Sequence, residues 1–172
     1  MQLVGQVITE ILHWAPQQVF VDGVGVGGGV VDRLRQQGYR VVDVSAGTRA
    51  MQADRYANLR AEMWGRMREW LRTRGRIPND QRLIDDLVSP LYSYDASNRV
   101  QLEKKADMKK RGLPSPDSGD ALAMTFAFPV PERPALGHPA PFGSVANRGR
   151  VRVKTGNRRI ERRKRLAERL GT

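Results

Sequence analysis

No cysteine occurs in this chain, which excludes disulfides and thiolate metal sites and makes a reducing compartment compatible. Histidine is almost as scarce: His13 and His138 are the only imidazoles, so neither a His-based zinc site nor a Ser-His-Asp triad is expected. No apolar run approaches the roughly 18–20 residues that span a bilayer. The N-terminus lacks a charged segment followed by an apolar one, so no signal peptide is expected. Acidic residues are outnumbered, 18 against 30 Lys and Arg, leaving a formal charge of +12. A balance of that sign points to a polyanionic partner.

What is present suits one globular domain and a tail: 172 residues, 40% of them hydrophobic, can bury a real core. The positive charge is concentrated. Residues 148–172 hold eleven Arg or Lys against Glu161 and Glu168, so the remainder is only about +3. Five prolines between Pro129 and Pro141 mark a linker. The expected organisation is a domain over 1–130, a Pro/Gly-rich linker over 131–149 and a basic arm over 150–172.

Within the domain, Leu3, Val4, Val7, Ile8, Ile11 and Leu12 repeat with a helical period that Pro16 stops. Val19-Phe20-Val21-Asp22 reads as a strand, followed by a glycine run, a helix through Val30, Val31 and Leu34 to Gly38, and a second strand over 40–44. Such a β-α-β unit implies parallel pairing. A helix is expected over 55–72, with Tyr56, Leu59, Met63, Met67, Trp70 and Leu71 on one face. A shorter one over 80–88 is capped by Asn79 or Asp80. Leu91–Tyr94 and Val100–Leu102 predict a hairpin, and helices follow over 104–111 and 116–128. Trp14, Trp64 and Trp70 are expected in the core or an interface, and Glu62 and Glu69 in ion pairs.

Asp117 and Asp120 stand three apart at the start of the last helix and so share a face. Asp22 ends a strand beside Gly23-Val24-Gly25-Val26-Gly27-Gly28-Gly29. Three carboxylates in such positions on a basic chain suggest a magnesium or manganese site acting on nucleic acid, since hard cations take oxygen ligands. Other readings compete. Gly23-x-Gly25-x-x-Gly28, with Asp43 twenty residues on from Gly23, has the layout of a dinucleotide fingerprint. Asp22 would then face the pyrophosphate with like charge. The glycines could also simply make a tight turn, and Ser115 or Asp117 could cap the helix.

Four segments taken together resemble the C-terminal nuclease domain of tailed-phage terminase large subunits. They are Val19 to Gly27, Tyr56 to Trp64, Glu103 to Gly112, and Ser115-Pro116-Asp117-Ser118-Gly119-Asp120-Ala121-Leu122, and the likeness runs in order over roughly 1–130. It implies an α/β, RNase H-like mixed sheet flanked by helices, and a metal-dependent endonuclease that cuts concatemeric double-stranded viral DNA. It also implies a two-metal site of Mg2+ or Mn2+, with Asp22, Asp117 and Asp120 as catalytic and metal-holding carboxylates. Lys104, Lys105, Lys109, Lys110 and Arg111, with Arg158, Arg159, Arg162 and Arg163 of the arm, are expected to meet DNA phosphates.

The resemblance further implies work with a motor domain, a small terminase subunit and a portal in the cytoplasm of a bacterial host. Two departures are expected. The chain begins after the family's first hairpin, whose strand carries another aspartate, and no Gly-x-x-x-x-Gly-Lys-[Ser/Thr] motor motif occurs. Impaired cleavage is therefore expected, and a non-catalytic DNA-binding or packaging-accessory module, or a decayed prophage remnant, is the alternative.

Overall fold

The computed structural model describes residues 2–130, so the linker after 130 and the arm, with Arg158, Arg159, Arg162 and Arg163, lie outside the described residues. The order of elements is α1 (Gln2–Trp14), β1 (Val19–Asp22), α2 (Val26–Gln36), β2 (Val41–Val44), α3 (Leu59–Thr73), α4 (Gln81–Val88), β3 (Tyr92–Tyr94), β4 (Val100–Leu102), α5 (Lys105–Lys110) and α6 (Asp117–Met124).

β1 and β2 pair in parallel, Val19 opposite Val41 and Asp22 opposite Val44, with α2 as the crossover that the sequence requires. β3 and β4 pair antiparallel, Tyr92 opposite Leu102 and Tyr94 opposite Val100. Parallel and antiparallel pairing are thus both present, in two short ladders.

Alternation along β1 and β2 divides the core in two. Val19, Val21 and Val41 face α1 and α2, where Val4, Ile11, Val30, Val31 and Leu34 are buried. Phe20, Val42 and Val44 face the other way, onto Leu59, Met63, Trp64 and Met67 of α3 and onto Ala123 and Ala127. Asp22 follows the alternation of Phe20 and Val44, so it leaves the sheet on the side that α6 covers. β1 pairs on one side only among the described residues. Beside it Val7, Ile11, Trp14, Phe20, Ala121 and Met124 line an open groove of about 430 Å³ between α1 and α6.

Three local expectations change. The long helix starts at Leu59, not 55, because Asn58 caps it by accepting the Ala61 N–H at 2.9 Å. Tyr56 therefore precedes the helix. It bridges to Val100, and its ring lies where a Cβ on Gly65 would be 2.5 Å from its hydroxyl, so glycine admits the contact. Trp14 is 71% exposed, which removes the core and leaves the interface of its two expected places, its indole donating to Glu10 at 2.9 Å. The last helix ends at Met124 and continues to 128 as turns.

The glycine run serves the tight turn directly. A Cβ on Gly27 would sit 1.7 Å from the Asp22 carbonyl oxygen, and one on Gly23 would sit 2.0 Å from the Asp43 carboxylate. The chain's own backbone and Asp43 occupy the space that side chains would need.

Candidate functional site

α3 holds both α6 and the turn that follows it. Near its start, Arg60 Nε meets Asp120 Oδ1 at 3.0 Å and Arg60 Nη1 donates to the Glu103 carbonyl at 2.8 Å. Farther along, Arg66 Nη1 donates to the Phe126 carbonyl at 3.2 Å, while Arg66 Nη2 pairs with Glu62 at 2.6 Å. Both sets advance in the same direction, so α3 and α6 run side by side in one sense. Glu62 is fully buried and also accepts the Met51 and Gln52 N–H groups. It is an ion-paired structural acid, as its place on a long helix suggested.

The start of α6 is capped from a distance. Asp86 of α4 accepts the Ser118 N–H at 2.8 Å and the Gly119 N–H at 3.2 Å, satisfying first-turn donors. Neither Ser115 nor Asp117 makes a side-chain cap, and Pro116 occupies the cap position. Sequence reading missed Asp86 because its partner lies more than thirty residues away.

Freed from capping, the two acids of α6 have different surroundings. Asp120 is 17% exposed and accepts Trp64 Nε1 at 2.8 Å, Arg60 Nε at 3.0 Å and Lys105 Nζ at 2.9 Å. Burial alone would raise its pKa. Lys105, Arg60 and Trp64 outweigh that and hold the carboxyl below the usual carboxylate range. Lys105 is the reverse case: burial works against its charge, but Asp120 and Asp117 raise its pKa. Asp117 is 82% exposed and touches only the edge of this network, 3.4 Å from Lys105 Nζ.

Asp22 is exposed at the end of β1, its Oδ1 accepting the Val24 N–H at 3.1 Å. Asp117 and Asp120 are thus joined through Lys105, and Asp22 stands apart from that ion-pair network on the same side of the sheet. Among the described residues, no three His, Asp or Glu side chains are gathered so as to hold a metal ion. Nor does Asp120 have a free oxygen, since Oδ1 and Oδ2 both face cations. As placed, these carboxylates do not fit a two-ion site.

The expected phosphate contacts are unequal in the same way. Lys104, Lys105, Lys109, Lys110 and Arg111 are all exposed. Lys105 is taken by Asp117 and Asp120, Lys110 by Asp107 at 2.7 Å, and Arg111 by Glu103 at 2.6 and 2.8 Å. Lys104 and Lys109 make no ion pair among the described residues. Arg60, Trp64 and Glu103, which assemble the site, lie in the segments Tyr56 to Trp64 and Glu103 to Gly112 that carry the resemblance, but no spacing marks them individually.

No protein-family model and no curated protein sequence matches the chain. Solved structures do. A point variant of the nuclease domain of the large terminase subunit of bacterial virus Sf6, with manganese, superposes with a TM-score of 0.59 at 17% identity, over 73% of this chain and 72% of that one. The unsubstituted Sf6 domain gives 0.59 at 16% identity over 73% and 71%, and a variant with calcium gives 0.58 at 17% over the same shares. The chain therefore has the RNase H-like fold of a phage large-terminase nuclease domain.

Proposed function

We propose that this chain acts on double-stranded DNA as the nuclease-type module of a viral packaging terminase, its cleavage site incomplete in the chain alone. The observation that carries this reading is the fold shared with the terminase nuclease domains. Asp22, Asp117 and Asp120 are the proposed carboxylates, and Mg2+ or Mn2+ the proposed cofactor. The Sf6 domain was solved with manganese and with calcium, which supports a divalent cation. Lys104 and Lys109, with the arm's Arg158, Arg159, Arg162 and Arg163, are the proposed phosphate contacts; such contacts position DNA without reading its sequence. A motor domain, small subunit and portal in a bacterial cytoplasm complete the proposed setting. No described helix is long and apolar enough to cross a membrane.

The test is nicking of supercoiled plasmid by the full chain. Weak cutting is expected with manganese, less with magnesium, which demands near-ideal octahedral geometry, and none with EDTA. Asp117→Ala should abolish what remains. Cutting that survives EDTA overturns the metal-dependent reading, and robust magnesium-dependent cutting overturns the incomplete site. The pairing of Asp120 with Arg60 and Lys105 favours a second reading, a DNA-binding module without catalysis. DNA retardation with no cutting under manganese would identify it.

A further inference from the structure

Tyr92 and Tyr94 alternate with Ser93 on β3, so both rings leave the same face of the hairpin. They are 65% and 59% exposed, with ring centroids 6.3 Å apart in an edge-to-face arrangement. Neighbouring apolar side chains left in water in this way mark an interaction surface.

The hairpin is held firmly. Val100 N–H donates to the Arg55 carbonyl at 2.8 Å and Ala57 N–H to the Val100 carbonyl at 2.9 Å, tying β4 to the chain before α3. Glu103 then couples it to α5. Its N–H donates to the Leu91 carbonyl at 2.8 Å, its carboxylate accepts the Leu91 N–H at 3.1 Å, and the same carboxylate takes Arg111 through two bonds. The tyrosine-bearing hairpin and the basic helix are therefore bonded into one unit through Glu103.

The charge on that unit identifies the partner. Residues 103–111 carry five cations against two acids, and Lys104 and Lys109 have no ion pair among the described residues. Protein–protein interface cores use tyrosine but are depleted of lysine. Lysines on a helix bonded to a hairpin with exposed aromatic rings suit a polyanion with flat bases, and base faces are available for stacking only where the strand is unpaired. Resting on the reading of the chain as one that acts on DNA, we propose that the β3–β4 hairpin and α5 bind unpaired DNA. Tyr92 and Tyr94 stack on its bases while Lys104 and Lys109 meet its phosphates.

Fluorescence anisotropy with a labelled oligothymidine and a labelled duplex of equal length tests this in the full chain. Tyr92→Ala/Tyr94→Ala should weaken single-strand binding by about 10- to 100-fold, with duplex binding and the salt slope of both kept. Tyr92→Phe/Tyr94→Phe keeps the rings and should bind single strands nearly as the parent does. An alanine variant that holds the single strand as the parent does, as a surface for a protein partner would, overturns the proposal. So does an equal loss on both DNAs. If the parent binds neither DNA, the reading of the chain as DNA-acting falls, and this proposal with it.

Discussion

Removing the charge of Asp120 leaves the guanidinium of Arg60, only 14% exposed, and the ammonium of Lys105 facing a neutral amide. Breaking a fully buried pair costs about 3–5 kcal/mol. Lys105 is 46% exposed, so Asp120→Asn should lower the unfolding free energy by roughly 2–3 kcal/mol at neutral pH. Because the folded pKa of Asp120 lies below its ordinary value of 3.8, the stabilisation is present above that value and fades as pH falls through the lowered one. Urea midpoints of the parent and Asp120→Asn should therefore differ at pH 7 and converge on acidification. A difference that grows in acid would contradict the ion-pair account. The pairing of Asp117 and Asp120 on one helical face was legible from their spacing alone. Their unequal burial was not, because it depends on Arg60, Trp64 and Lys105, which reach α6 from two other helices.

At the scale of elements, α6 depends on α4 for its first turn. Asp86→Ala should remove both acceptor contacts and cost about 1 kcal/mol. Hydrogen exchange should localise the loss, the Ser118 and Gly119 amides becoming less protected while the amides of α2 are unchanged. Protection unchanged at Ser118 would refute the cap. Periodicity was enough to find α1, β1, α2, β2 and the hairpin, since each buries a face set by its own 3.6- or 2-residue repeat. It failed at the start of α3, where Tyr56 has helical spacing but is captured by Val100 from a distant strand. Asn58, the residue that sets the true boundary, is a strong cap by type. Local signals thus located segments, while their ends and their partners were decided by contacts between segments.

For the whole molecule the distribution of charge matters more than its total. Deleting residues 148–172 removes eleven cations and two acids. The slope of log DNA affinity against log salt should flatten by about 0.9 for each phosphate the arm meets. Far-ultraviolet circular dichroism should lose no helix belonging to residues 2–130. An unchanged salt slope would assign the arm another role. The open side of β1 beside the groove of Val7, Ile11, Phe20 and Met124 adds an opposite response to the same ions. A strand edge unpaired among the described residues, next to apolar surface, is a template for a second strand, and at a charge of +12 mutual repulsion between chains opposes that contact. Salt screens the repulsion and leaves the edge intact. Raising ionic strength should therefore carry a colloidal penalty: sedimentation would show heavier species at high salt than at low salt.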